Sequence, residues 1–381
     1  MSDILSTIQK LAEAQKNAYI TKAADEGKRI LGYMCSFVPE EIIHAACMVP
    51  FRMTAVGSTE TRLGDTYYSA INCSLVRHIF DKALKNEFSF LDGIVFMNGC
   101  DHSRRMYDNW RDALKTQGLG PEFLYMFVAP HTTMETSLNR FIDELNGFSS
   151  ALEKNFGVNI TKNALKNSIS IYNRRRKLFR ELNEMRKQPE PPISGAEMLA
   201  VQLAMTSIPV ENAVDLLEQL TEHVHDRKMD CKDKLRIVVT GGAMEEIDHV
   251  KMIEDSGAIV VAENLCTGGR HSDVSSDEDG DPVISIAERY LYKVSCPRMV
   301  DEFENRSSLL EKTLKEYSAD ALITEKLMFC DIWGGEVFLL KQEAKRMGFP
   351  LLSLEREIYG GGAGQMKTRV QAFFETVRNI Q

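Results

Sequence analysis

Short apolar runs separated by helical patterns are what most restricts the architecture of this chain. In its first part they are "KRILGYMC", "LDGIVFMNGC" and "PEFLYMFVAP"; in its last part they are "KLRIVVTGG", "GAIVVAENLC", "ADALITEKLMFC" and "FPLLSLE". Runs this continuous suit strands buried on both faces, as in a parallel sheet, and parallel neighbours need a crossover, usually a helix, between them. "VPEEIIHAACM", "CSLVRHIFDKALK", "MEEIDHVKMIEDS", "VFLLKQEAKRMG" and "AGQMKTRVQAFFETVRN" read as such helices. In the first of them Pro39 falls in the opening turn, with Glu40 and Glu41 at the positive end of the dipole. Between the two parts, residues 139–232 read as helical, interrupted at "QPEPPISG". The pattern predicts an α/β protein with two doubly wound (Rossmann- or flavodoxin-like) parallel-sheet domains and a helical segment between them. The expected boundaries are 1–138 for an N-terminal helix plus the first α/β domain, 139–232 for the helical segment and 233–381 for the second α/β domain.

A chain of 381 residues has room for two or three such units. The formal net charge of −9 argues against a nucleic-acid-binding surface. No stretch approaches the roughly 18 uninterrupted apolar residues of a membrane span. The opening "MSDILSTIQKLAEAQKNAY" reads as an amphipathic helix and lacks the layout of a secretory signal. The expectation is a soluble, cytoplasmic protein in a reducing compartment, without structural disulfides.

The eight cysteines are Cys35, Cys47, Cys73, Cys100, Cys231, Cys266, Cys296 and Cys330. Cys35, Cys100, Cys266 and Cys330 each fall just past the end of an expected strand. In open α/β sheets ligands bind outside the carboxyl ends of the strands. Cys73 opens a helix, where backbone N–H groups and the dipole favour a thiolate. Cys296, in "VSCPRM", follows a helix. Two α/β domains facing each other would bring these thiols into one crevice. No two cysteines form a CxxC pair, which argues against a small zinc module. Thiolates without a histidine partner favour an iron–sulfur cluster over a mixed zinc site. His102 and His271 are read as hydrogen-bonding residues, Cys47 as a small buried hydrophobe in an apolar helix, and Cys231 as an incidental surface thiol.

Other motifs are weaker. "YGGGAGQMKTR" is glycine-rich before a helix, but it lacks the lysine ending of a Walker A loop and reads as a flexible turn. "YNRRRKLFRELNEMRK" carries a cationic face, which reads as solvated helix surface with room for an anionic cofactor or partner. "VVTGGAMEE" follows a strand without completing a dinucleotide fingerprint.

At "GYMCSFVPEEIIHAA", "NCSLVRH", "NGCDHSRRMYDNW", "ENLCTGGRH", "AERYLYKVSCPRM", "EKLMFCDIWGGE" and the closing "GAGQMKTRVQAFFE", the chain resembles the 2-hydroxyacyl-CoA dehydratase and benzoyl-CoA reductase superfamily. The resemblance implies two α/β domains with a helical part, dimerisation, oxygen-sensitive iron–sulfur clusters and a separate ATP-hydrolysing iron–sulfur activator or reductase. Cys73, Cys100 and Cys330 match the family's common cluster ligands; three thiolates leave one iron of a cubane open. Cys35, Cys266 and Cys296 complete a set of six that is similar to the double-cubane cluster branch, whose members are homodimers. There, two cubanes joined by a sulfide, an [8Fe-9S] cluster, sit in one protomer. The implied function is a redox enzyme component that takes low-potential electrons from an ATP-dependent reductase and reduces a small substrate. One alternative is a subunit of a 2-hydroxyacyl-CoA dehydratase or benzoyl-CoA reductase with one [4Fe-4S] cluster and a homologous partner subunit. In that case Arg270 and the 174–177 cluster are candidates for the CoA phosphates. Another is a non-catalytic electron-storage or electron-transfer protein.

Overall fold

A computed structural model describes residues 4–294 and 296–380. The first three residues of the expected N-terminal helix lie outside that range. The described part of that stretch forms two helices, α1 (Ile4–Ala12) and α2 (Ala18–Asp25). Asn17 ends the intervening turn, and its side-chain oxygen accepts the Ile20 N–H at 3.1 Å as the N-cap of α2.

The first sheet is built from β1 (Ile30–Tyr33), α3 (Glu40–Ala45), β2 (Val49–Arg52), α4 (Ser74–Leu84), β3 (Gly93–Met97), α5 (Asp101–Gln117) and β4 (Phe123–Phe127). Its four strands are parallel in the order β2-β1-β3-β4. Four helices follow: α6 (Glu135–Phe156), α7 (Lys162–Met185), α8 (Gly195–Met205) and α9 (Val210–Val224). The second sheet is built from β5 (Leu235–Gly241), α10 (Ile247–Asp255), β6 (Ala258–Asn264), α11 (Gly269–Ser272), α12 (Pro282–Tyr292), α13 (Phe303–Glu316), β7 (Ala321–Leu327), α14 (Asp331–Met347), β8 (Leu351–Arg356) and α15 (Ala363–Ile380). It repeats the same order, β6-β5-β7-β8, again all parallel. The doubly wound α/β architecture expected from the alternation is therefore present twice.

The sequence reading names no helix over α5, and two further elements depart from it. β2 falls where "EIIHAACMVPF" reads as one apolar helix. The helix stops at Ala45, Cys47 turns the chain at φ 59°, and Val49–Arg52 pair with β1. Pro50 fits there because β2 is an edge strand, where a missing N–H is tolerated. The second is α13, which buries Leu310 and Leu314 against the outer face of the second sheet although its sequence is strongly polar.

In both sheets the chain reverses its winding at the central pair, β1/β3 and β5/β7. Such a switch leaves a crevice at the carboxyl ends of the strands. The segment from α12 to Met299 lies between β6 and β7 in sequence but packs elsewhere. Ile286, Tyr290, Leu291 and Met299 bury into the cluster formed by Tyr33, Phe37, Val95 and Phe127 of the first sheet.

The helical segment is locked to both sheets by buried charge. Arg175 and Arg176 of α7 are 2% and 1% exposed. Arg175 Nη2 donates to Glu40 Oε2 at 2.5 Å, and Arg176 pairs with Glu41. Tyr33 and Tyr290 hydroxyls donate to Glu40 and Glu41, each at 2.8 Å. His271 Nε2 lies 3.0 Å from Glu40 Oε2. Burial holds His271 down to about 3, so it is neutral and serves as a donor. Burial would raise both carboxyls, but Arg175 holds Glu40 well below the usual range and Arg176 holds Glu41 down at about 2. The cationic run is therefore not a solvated face. Its two middle arginines are internal, and only Arg174 and Lys177 stand outside, paired with Glu218 and Glu181.

Removing one partner of such a pair leaves an uncompensated buried charge. Glu41→Gln is expected to lose roughly 3–5 kcal/mol in urea unfolding, whereas Arg174→Ala on the exposed side loses about 1 kcal/mol or less. Because the folded-state value of Glu41 is lowered from 4.5 to about 2, its contribution is complete above 4.5 and drains away as pH falls towards 2. Chemical unfolding along a pH series checks both the size and that window.

Candidate metal centre at the strand ends

The six cysteines singled out by position come from six separate segments. Cys35 follows β1, Cys100 follows β3, Cys266 follows β6 and Cys330 follows β7. Cys73, Cys100 and Cys330 are the N-cap residues of α4, α5 and α14. Cys296 lies in the connection between α12 and α13. Cys73 is buried and the other five are half-buried; all are free thiols.

Hydrogen bonds join the loops that carry them. His102 has Nδ1 at 3.1 Å from Asn72 Oδ1 and Nε2 at 2.9 Å from the Phe329 carbonyl. It thereby links the segments of Cys73, Cys100 and Cys330. The Ser36 hydroxyl donates to the Cys266 carbonyl at 2.5 Å, and Lys293 Nζ donates to the Ser36 carbonyl at 2.5 Å. Those bonds link the segments of Cys35, Cys266 and Cys296. A Cβ added at Gly99 would stand 3.9 Å from Cys35 Sγ, so the loops after β1 and β3 meet at the switch point.

The electrostatics link the thiols both within these groups and across them. Burial pushes Cys73 up to about 12, and the negative fields of Cys330 and Cys100 add to the rise. Burial, with Cys266 and Cys35 behind it, pushes Cys296 up to about 11. Cys35 is raised by burial and by Cys266. Cys100 and Cys330 reach about 11, first through burial. Cys100 feels Cys330 and Cys296, and Cys330 feels Cys266 and Cys296, so the two groups of three also touch electrostatically. The helix start favours a Cys73 thiolate, as expected, but burial works against it more strongly. The N–H dipoles of Leu75 and Val76 oppose the rise, but burial outweighs them and no capping hydrogen bond closes on the sulfur.

Buried basic side chains surround these sulfurs, with burial holding Lys293 well below the usual range, and sequence reasoning missed most of them. Arg52 donates to the Cys266 carbonyl at 3.4 Å. Lys293 stands over the Phe37 ring at 4.9 Å, and Arg298 over the same ring at 4.7 Å. Arg270 donates to Cys266 Sγ at 3.4 Å and to the Gly241 carbonyl at 2.5 Å, and lies over Trp333 at 5.0 Å. Arg270 and the buried half of the 174–177 cluster thus have their partners inside the protein, and no cationic groove for CoA phosphates forms from them. Of these the sequence reading named only Arg270; Arg298 stands two residues after Cys296, with no local pattern that marks it as internal.

Among the described residues no three His, Cys, Asp or Glu side chains are grouped to hold a single metal ion. A cavity of ≈ 740 Å³ opens beside the second sheet, and none of the six cysteines lines it. Gly360, Gly361 and Gly362 line it together with Glu245, Glu246, Asp248, Glu355 and Glu357. That acidic wall opposes a phosphate, so the glycine-rich loop is a turn rather than an anion cradle. The two remaining cysteines also differ from expectation. Cys47 is exposed, and Cys231 is half-buried against Leu310 and its neighbours. Among the described residues no helix is long and apolar enough to cross a membrane.

Two parallel sheets that carry cysteines just past their strand ends define a doubly wound α/β protein. Residues 35–377 match the family of the 2-hydroxyglutaryl-CoA dehydratase D-component, and the chain belongs to that family. It is 26% identical to one of the subunits of benzoyl-CoA reductase from Thauera aromatica, over 91% of this chain and 89% of that protein. It is 25% identical to the beta subunit of lactoyl-CoA dehydratase from Anaerotignum propionicum, over 98% of each. It is 24% identical to the beta subunit of (R)-2-hydroxyglutaryl-CoA dehydratase from Acidaminococcus fermentans, over 99% of this chain and 100% of that protein. Each relative is by name one subunit of an enzyme, a reductase or a dehydratase.

Exposure alone orders the thiols for alkylation. Brief treatment of the native metal-free protein with iodoacetamide is expected to label Cys47 first and leave Cys73 unmodified until urea opens the fold, as read by peptide mass spectrometry.

Proposed function

We propose that this chain is the substrate-reducing component of a two-component redox system and holds two iron–sulfur cubanes, joined as a double cubane. Cys73, Cys100 and Cys330 hold one; Cys35, Cys266 and Cys296 hold the other. The observation that carries the reading is the gathering of six free thiols from six segments, on loops that hydrogen-bond in two groups of three. An all-thiol donor set suits iron–sulfur chemistry. Thiolates that each bind a different iron do not converge on a point as the ligands of a single ion do.

The bound group would supply one-electron transfer at low potential. The chain's own residues present the thiols, compensate their charge and restrict water. Three ligands at helix N-termini place N–H dipoles beside the sulfurs. Arg52, Arg270, Lys293 and Arg298 offset the negative charge of six thiolates in a region otherwise closed by Phe37, Tyr290 and Trp333. Under this reading the chain works as a homodimer, and a separate ATP-hydrolysing iron–sulfur protein delivers the electrons. That division fits a chain without a phosphate-binding loop and its lysine.

A second reading makes the chain one subunit of a dehydratase or benzoyl-CoA reductase with a single [4Fe-4S] cluster. Nearly full-length likeness to proteins named as such subunits favours it. The absence of a free cationic groove in the Arg270 and 174–177 regions counts against CoA binding there. If the sulfurs are sealed from substrate, the same ligands would serve electron storage instead.

Iron analysis of anaerobically purified protein separates the readings. The double cubane predicts about eight irons per chain and a single cubane about four; iron near zero in a well-folded chain rejects both. Cys296→Ser is expected to lose iron, while Cys231→Ser keeps the full complement. Equal, negligible losses would leave one cluster on Cys73, Cys100 and Cys330. The isolated chain is expected to hydrolyse no ATP, with turnover appearing only when a second, ATP-hydrolysing protein is added.

A further inference from the structure

Arg298 is a buried cation under the influence of both groups of thiols. It is 3% exposed. Its Nη1 donates to the Pro130 carbonyl at 2.8 Å, and its Nη2 to the Ala129 carbonyl at 2.9 Å and, weakly, to Asn98 O at 3.4 Å. Met299 Sδ lies 3.3 Å from Nη1. The guanidinium stacks on Phe37 at 4.7 Å. Phe37 is two residues from Cys35, Asn98 two from Cys100, and Arg298 itself two from Cys296. These anchors come from the loops that follow β1, β3 and β4, so the head of the side chain is fixed where those loops converge.

Its remaining donor is left over. Arg298 Nε is fully buried and has no hydrogen-bond partner. A buried charged N–H without an acceptor costs free energy that a native site rarely leaves uncompensated. The Nε of Arg175, Arg176 and Arg186 is likewise without an acceptor, but each of those arginines is paired with a carboxylate, which among the described residues Arg298 is not. Cys296, Cys35 and Cys100 are the groups whose charge, once they are thiolates, acts on it. Two of these belong to one group of three and the third to the other.

We propose that Arg298 is a positioning residue at the junction of the two thiol groups, with its Nε–H directed at a sulfur of the bound cluster. The inference rests on the cluster reading above. A cation and a hydrogen bond at cluster sulfur stabilise the reduced state, which carries the extra negative charge, and so raise the reduction potential. Arg298 thereby sets the potential at which the two cubanes exchange electrons, rather than holding iron.

The test uses the full-length holoprotein, purified anaerobically, with iron content, circular dichroism and an EPR-monitored redox titration measured for the wild type, Arg298→Lys and Arg298→Met. Arg298→Lys keeps the charge and removes the planar fork; Arg298→Met removes both. The expected result is unchanged iron with potentials that fall in the order wild type, Lys, Met. At a fixed potential the Met variant should show about tenfold less reduced cluster, equivalent to about 59 mV for one electron. Full iron with an unmoved potential in both variants overturns the proposal while leaving the cluster reading intact. Loss of iron from both, with the fold preserved, also overturns it, because Arg298 would then serve to hold the Cys296 loop. A wild-type protein that carries no iron removes the reading on which the proposal stands, a different failure from the other two.

Discussion

The pairing of Glu40 and Glu41 with Arg175 and Arg176 is the constraint around which the rest of the molecule is arranged. Two adjacent carboxylates at the start of α3 meet two adjacent arginines in the middle of α7, all out of contact with water. Charges buried this deeply are tolerated only when geometry and further hydrogen bonds satisfy them. Here Tyr33, Tyr290 and His271 complete the network. These partners come from β1, α12 and α11. The loops that carry Cys35, Cys296 and Cys266 are the immediate extensions of those elements, so fixing the ion pairs fixes the approach of three thiols from distant parts of the chain.

The other three thiols are held by a different logic. Cys73, Cys100 and Cys330 each cap a helix, and a helix N-terminus sets both the direction of the side chain and a positive field beside it. His102 bridges Asn72 and Phe329 and ties the caps together across the sheets. One group of thiols is therefore positioned by side-chain ion pairs behind it, and the other by backbone at helix starts. Burial, with neighbouring thiols behind it, drives Cys35, Cys73, Cys100, Cys296 and Cys330 towards the protonated thiol. Under the proposed cluster reading, the basic side chains around them offset the charge of thiolates.

Strand runs and crossover helices were enough to locate both sheets, because continuous apolar runs can be buried only in a parallel sheet covered on both faces. Edge strand β2 escaped notice because Val49–Arg52 is short and carries Pro50, and helix periodicity ran straight into it. α13 escaped because its apolar stripe is narrow. The structure has Cys35, Cys100, Cys266 and Cys330 just past strand ends and Cys73 at a helix start, the positions that the sequence pattern gives them. Cys296 depended on resemblance to a family, since nothing local distinguishes a cysteine that follows a helix.

Sequence by itself determined which residues end strands and open helices, since those are local consequences of hydrophobic periodicity and capping. It could not say which charges are inside. Arg175 and Arg174 are neighbours in one cationic run, yet one is sealed in the core and the other is solvated, because a helix turns adjacent side chains through about 100° and only packing decides which side faces inward. The same holds for Arg298, whose leftover donor between two groups of thiols exists only because the loops after β1, β3, β4 and α12 converge in three dimensions. Tertiary structure decided these points, because the cost of burying a charge depends on partners that lie tens or hundreds of residues away along the chain.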